Sequence, residues 1–345
     1  MDYIFNRTDF ILCDVPVPKG YKQSQTHVGI AVSEGDYYLT TSPYPAYDRS
    51  RWIVYLEAAI RKLSRGKLFK PFIAERWENP CLYIGSNGNG EIPTKFQLLR
   101  QAPLMPPPEP YNGFPAYNSD PDLCVVDDTI HVLNRIVYRT EKSQKGRQYK
   151  YETQLFHIYG SVDNRVFKYK GTELLFESDR NIISPCMIYH NGEYYLLELE
   201  TNSYNDGKSF TGLFLARSSS IEGFKNNPRW EPVYVEGNGY LPWHMSMFQY
   251  KNEVYAIVAC IKKGESHRCW LMLGKFTNDF SNLFIYPKPL TDYNSYRSAA
   301  LVNEDMFILY TAVVKESVKG SNSVDGRDVL MAKKPFDQLL AAIEN

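Results

Sequence analysis

Five stretches of the chain repeat one order of polar and apolar positions. A polar residue opens a short apolar run, a tight turn follows, and a second apolar run, often aromatic, returns. Thr26-His27 opens Val28 to Val32, the turn is Ser33-Glu34-Gly35-Asp36, and Tyr37-Tyr38-Leu39-Thr40-Thr41 returns. Ser119-Asp120-Pro121-Asp122 opens Leu123 to Val126, turns at Asp127-Asp128, and returns through Ile130, Val132, Leu133, Ile136, Val137 and Tyr138. Ser184-Pro185 opens Cys186 to Tyr189, turns at His190-Asn191-Gly192-Glu193, and returns as Tyr194-Tyr195-Leu196-Leu197. Trp243-His244 opens Met245 to Phe248, turns at Lys251-Asn252-Glu253, and returns as Val254 to Val258. Tyr296-Arg297 opens Ser298 to Val302, turns at Asn303-Glu304-Asp305, and returns as Met306 to Tyr310. Short apolar runs bounded by turn residues predict β-hairpins, and their recurrence predicts a repeat architecture.

Further strands lie between the copies, at Leu155–Tyr159, Leu213–Arg217 and Leu271–Lys275. About four strands per copy make one propeller blade. The expected fold is therefore all-β: a five-bladed β-propeller in a single domain over residues 1–345, its blades opening near 26, 118, 184, 243 and 296. Ring closure leaves no long free edge, and an early strand at 9–17 is placed to complete the last blade. Two segments depart from the plan. Trp52, Leu56, Ala59, Ile60 and Leu63 fall at helical spacing and predict an inserted amphipathic helix over 52–65. Residues 335–343 predict a short closing helix. Pro106-Pro107-Pro108-Glu109-Pro110 reads as a stiff connector to the second blade.

Charge and composition narrow the partners. The 39 basic residues balance the 39 acidic ones, so no overall positive field points to nucleic acid; an example of a local basic patch is Arg61, Lys62, Arg65, Lys67 and Lys70. The 27 Tyr, 18 Phe and 5 Trp suit strands and suit surfaces that stack on sugar rings. Six cysteines, at 13, 81, 124, 186, 260 and 269, form no CxxC pair. They read as buried free thiols rather than a metal knuckle. The first residues lack the basic and apolar regions of a signal peptide, and no run reaches membrane-span length. The expectation is a cytoplasmic protein, or part of an assembly exported by another route.

The inner strand of each blade lines the axis, so the five openings converge at one mouth. They bring polar residues of different types: His27, Asp120 with Asp122, Ser184, His244 and Arg297. A purely structural repeat would reuse one small residue. Glu78, in Glu78-Asn79-Pro80-Cys81-Leu82-Tyr83, shares the proline-then-strand form. Trp243 and Tyr296 flank the openings and are placed to stack on a sugar ring or to pack between blades. Each position also has a structural reading: a turn cap for the aspartates, a core hydrogen bond for the histidines, an ion pair for the arginine.

These openings, the Asp-Pro-Asp of the second hairpin and the Ser-Pro of the third together resemble the five-bladed β-propeller glycosidases, with glycoside hydrolase family 43 and its relatives nearest. The resemblance implies an aspartate base from the first blade, a pKa-tuning aspartate from the second and a glutamate acid from the third, with a histidine and an arginine from later blades. Asp120 is similar to the second-blade aspartate, His244 to the histidine and Arg297 to the arginine. Two positions depart: Thr26-His27 stands where the base belongs, and Ser184-Pro185-Cys186 carries no glutamate. Glu78, or Glu198 and Glu200, can replace the missing carboxyls, and a histidine can serve as the acid. Glycoside hydrolysis ordinarily uses two carboxyl groups, ~5–5.5 Å apart for retention or ~6.5–9.5 Å for inversion.

The expected catalytic residues are thus Asp120, Glu78 and His27. The expected substrate contacts are Asp122, Ser184, Trp243, His244, Tyr296 and Arg297. No cofactor or catalytic metal is expected; the reading admits a single structural cation in the channel. The expected partner is a poly- or oligosaccharide, and the expected activity is its hydrolysis. The alternative is a non-catalytic carbohydrate-recognition propeller in a surface or phage-tail assembly. A third reading is a scaffold that docks a partner on the helix at 52–65.

Overall fold

The computed structural model describes residues 2–19, 21, 24–43, 63, 78–86, 91–106, 108, 116–142, 149–201, 210–262, 268–314 and 327–344. The helix expected at 52–65, apart from Leu63, and the basic cluster at 61–70 lie outside them. The strands run in chain order: β1 (Ile11–Leu12), β2 (Gly29–Ser33), β3 (Asp36–Thr41), β4 (Cys81–Ser86), β5 (Gln97–Leu98), β6 (Ala116–Val126), β7 (Thr129–Lys142), β8 (Tyr149–Asp163), β9 (Val166–Ser178), β10 (Asn181–His190), β11 (Glu193–Thr201), β12 (Phe210–Ser218), β13 (Glu231–Glu236), β14 (Tyr240–Tyr250), β15 (Glu253–Lys262), β16 (Cys269–Phe276), β17 (Asn282–Ile285), β18 (Ser295–Asn303), β19 (Met306–Val314) and β20 (Arg327–Pro335). A helix, α1 (Phe336–Glu344), follows β20.

The turns explain the hairpins. Glu34-Gly35, Asp127-Asp128, Asn191-Gly192 and Glu304-Asp305 all have positive φ. Two successive left-handed residues are what a type I′ turn requires, and its twist matches that of the flanking strands.

Among the described residues three sheets have four strands each: β2-β3-β4-β5, β6-β7-β8-β9 and β1-β20-β19-β18. The fourth has eight, in the order β10-β11-β12-β13-β17-β16-β15-β14. It consists of two antiparallel groups joined by a parallel pairing of β13 with β17. The expected early strand is shorter than 9–17: Ile11 and Leu12 pair with Met331 and Leu330 and so join the start of the chain to its end.

The first strands of the five groups touch in a closed cycle, β2 to β6, β6 to β10, β10 to β14, β14 to β18, and β18 back to β2. Five apolar clusters fill the gaps between successive groups. Strand alternation explains how one strand serves two gaps. On β15, Val254, Ala256 and Val258 face the group of β10, whereas Tyr255, Ile257 and Ala259 face the group of β18. Strands buried on both faces read as continuous apolar runs, as Val254 to Cys260 does. The helix α1 seats Phe336, Leu339 and Ile343 in the second of these gaps, beside Ile4 and Phe5. All six cysteines are buried and free; burial pushes the thiols of Cys13, Cys81 and Cys124 up to about 12.

Candidate functional site

The inner strands break register where the polar openings lie. Against β7, β6 pairs Ser119 with Arg135 and next Asp122 with Leu133, so Asp120-Pro121 bulges. Ser184-Pro185 bulges from β10 in the same way. Trp243 is the extra residue of β14, and Tyr296-Arg297 bulge from β18. A bulge bends a strand and re-aims its side chains. His27, Asp120 and Ser184 moreover take positive φ of 52°, 48° and 51°. Non-glycine residues held there cost on the order of 1–3 kcal/mol each, so the surrounding structure must over-determine them.

Asp120 is the hub, with 0% of its side chain exposed. Its Oδ2 lies 2.8 Å from Arg135 Nε and accepts the Ser184 N–H at 3.1 Å. Its Oδ1 faces His27 Nε2 at 3.1 Å and His244 Nδ1 at 3.5 Å. Its carbonyl accepts from Arg297 Nη1 at 3.2 Å. Burial alone would raise this carboxyl; Arg135, with His27, His244 and Arg297, more than reverses that and holds it well below the usual carboxylate range. Burial dominates for the imidazoles. It pushes His244 down to about 4 and His27 well below its ordinary value, against the pull of Asp120, so both are neutral near pH 7.

Glu78 flanks the hub, its side chain 21% exposed. Its Oε2 accepts a short hydrogen bond from Ser119 Oγ and lies 3.4 Å from His27 Nδ1. Buried amides hold the segment next to it in place, tying Asn79 to β6 and β7: Asn118 donates to Asn79 Oδ1 at 2.7 Å, and Asn134 to Asn118 Oδ1 at 2.9 Å. Withdrawal from water, reinforced by the nearby Asp120 charge, pushes Glu78 up to about 7.

Arg297 is fully buried and binds Asp122 Oδ1 at 2.6 Å. It also donates to Pro185 O at 3.1 Å, and its own carbonyl accepts from Val28 N–H at 3.3 Å. Asp122 Oδ2 accepts the Met187 N–H at 2.8 Å. Ser184 Oγ is paired with both the N–H and the carbonyl of Met245, at 3.0 and 3.1 Å. Ser246 Oγ donates to Ser298 O at 2.8 Å. These bonds stitch successive inner strands together. Trp243 sits edge-on to Tyr296 at 5.1 Å and tilted over His244 at 4.7 Å.

All nine residues singled out from the sequence thus lie in one connected cluster. Glu198 and Glu200 are engaged elsewhere, sharing Arg180 at 2.5 and 3.3 Å, and burial pushes Glu198 up to about 8. Sequence reasoning missed two arginines. Arg135 is the one arginine, lysine or acidic residue between Thr129 and Tyr138 on a largely apolar stretch of β7, and a buried cation needs a buried anion; that was its signal. Arg327 lies 3.8 Å over the Tyr296 ring and donates to Thr26 Oγ1 at 2.8 Å; nothing local announces it. His27, Asp120 and His244 also form a group with metal-ligand spacing, one donor atom of each lying within 4.8 Å of the others.

No protein-family model matches the chain, and no curated protein matches its sequence. Solved structures do share its fold. An N-acetylgalactosamine deacetylase from F. plautii, in complex with blood group B trisaccharide, superposes with a TM-score of 0.64 at 15% identity, over 96% of each chain. A xylan β-1,4-xylosidase from Bacillus halodurans C-125 gives 0.61 at 12% identity, over 92% of this chain and 54% of the xylosidase. A family GH62 α-L-arabinofuranosidase from Coprinopsis cinerea gives 0.55 at 9% identity, over 93% and 94%. Other neighbours belong to glycoside hydrolase family 43. The chain has the β-propeller fold of these carbohydrate-active enzymes. Among the described residues no helix is long and apolar enough to cross a membrane.

Proposed function

We propose that the chain is a single-domain, five-bladed propeller that hydrolyses an oligosaccharide at the mouth where its inner strands bulge. The blade count rests on the closed cycle of first strands and the five intervening clusters. The observation that carries the activity is the state of Glu78. It is partly exposed, whereas Asp120 and Asp122 are each bound to a guanidinium out of solvent. A carboxyl titrating near neutrality is suited to both halves of proton transfer. In this reading Glu78 moves the proton, His27 and Asp120 set its surroundings, and Arg297, Asp122 and Ser184 hold the frame. Trp243 and Tyr296 supply the platform for a sugar ring. Carbohydrate-active neighbours of the same fold support the choice of substrate class.

One observation favours a second reading, carbohydrate recognition without turnover: the cluster offers one accessible carboxyl where glycosidases ordinarily use two. Incubation with neutral and acidic oligosaccharides, followed by mass spectrometry and reducing-end assay, separates the readings. Hydrolysis yields new reducing ends. Saturable binding with every glycan recovered intact establishes the recognition module. In either case Trp243→Ala is expected to weaken glycan affinity about tenfold, since burying a large apolar side chain contributes ~1.5–3 kcal/mol and ~1.4 kcal/mol is a factor of ten. Calorimetric titration measures this, and unchanged affinity would remove Trp243 from the platform.

A further inference from the structure

One ligand atom from each of His27, Asp120 and His244 lies within 4.8 Å of the others. His27 Nε2 and His244 Nδ1 approach the same oxygen, Asp120 Oδ1, at 3.1 and 3.5 Å. Both imidazole side chains are 6% exposed and the carboxylate is not exposed at all. Neither Asp120 Oδ1 nor His244 Nδ1 makes an aligned hydrogen bond among the described residues. Buried polar atoms are ordinarily satisfied, and a shared ion would satisfy these atoms, which face one another without an aligned hydrogen bond. We propose that His27, Asp120 and His244 form a three-ligand site for a divalent cation of the zinc class.

The dimensions agree. Bonds of ~2.0–2.1 Å in tetrahedral array place neighbouring ligand atoms ~3.3 Å apart, between the two separations found. Two imidazoles and one carboxylate suit Zn²⁺ and its neighbours, whereas Ca²⁺ and Mg²⁺ take oxygen ligands. The surroundings fit as well. Arg135 and the Ser184 N–H occupy Asp120 Oδ2, which leaves Oδ1 as a single ligand atom. Glu78 stands 3.4 Å from the other nitrogen of His27, and a carboxylate behind the imidazole orients metal-ligating histidines. Two of the three ligands, His27 and Asp120, occupy the strained positive-φ positions, so the backbone itself sets them.

Among the described contacts neither nearby guanidinium is bonded to Asp120 Oδ1. Arg135 is on the far oxygen of Asp120, and Arg297 is bound to Asp122. Three protein ligands leave a fourth position open, as in catalytic rather than structural zinc sites. The proposal holds for a hydrolase and for a recognition module alike.

The test uses the full chain, stripped with a chelator and titrated with Co²⁺ by visible absorption and with Zn²⁺ by calorimetry. The expected result is one equivalent bound, Co²⁺ bands that Zn²⁺ abolishes and millimolar Ca²⁺ does not, and a raised thermal midpoint with Zn²⁺. His27→Gln and His244→Gln are expected to bind at least ~100-fold more weakly, and Glu78→Gln ~10–100-fold more weakly as an orienting partner. Thermal melts of the stripped variants report whether they fold; if a histidine variant does not, the wild-type titration decides alone. No Co²⁺ spectrum with the folded wild-type chain, or equal affinity in folded histidine variants, overturns the proposal.

Discussion

Arg297→Met is expected to destabilise the protein by about 3–5 kcal/mol, the usual cost of removing one partner of a buried ion pair. The guanidinium is fully buried and reaches Asp122, the Asp120 carbonyl and the Pro185 carbonyl. Methionine fills a similar volume but leaves the Asp122 carboxylate buried and unpaired. The cost should therefore come mainly from the orphaned charge. The double variant Asp122→Asn/Arg297→Met, which removes that charge, should recover a large part of the loss. Urea unfolding of the wild type, the single variant and the double variant measures both quantities. A loss below ~1 kcal/mol for Arg297→Met would show that the pair is not what joins the inner strands, since only exposed ion pairs contribute so little.

This clamp marks the boundary of what was legible in the sequence. The hairpins were legible because their turns carry residues that tolerate positive φ, such as Asn191-Gly192 and Asp127-Asp128. The convergence of the openings followed from the repeat. The bulges were not legible: nothing local says that Asp120-Pro121 lacks paired partners, because a bulge is a property of two strands. The outer strands β9, β13 and β17 were not legible either. They are short or half-exposed, so alternation is weak, and the pairing of β13 with β17 joins segments far apart in the chain. Glu78 was singled out for its local sequence, but its link to His27 through neighbouring strands is a tertiary fact. Arg135 could have been noticed as a lone charge among Ile130, Val132, Ile136 and Val137. Its partner could not have been chosen without the fold.

Glu78→Gln carries the second large effect, on turnover. Glutamine keeps the length of the side chain and can still accept the Ser119 hydroxyl, so the cluster should persist and the thermal midpoint should stay near that of the wild type. It cannot give or take the proton. Loss of positioned acid–base assistance lowers rates by ~10²–10⁴-fold, and the loss is expected in kcat with little change in KM, because binding rests on the aromatic rim and not on this carboxyl. The decisive measurement is kcat for wild type and Glu78→Gln on the oligosaccharide that the wild type cleaves, with and without saturating Zn²⁺, so that weakened metal binding is not mistaken for lost proton transfer. The account predicts a fall of at least ~10²-fold that added Zn²⁺ does not restore; kcat equal to the wild type, with or without the ion, would contradict it.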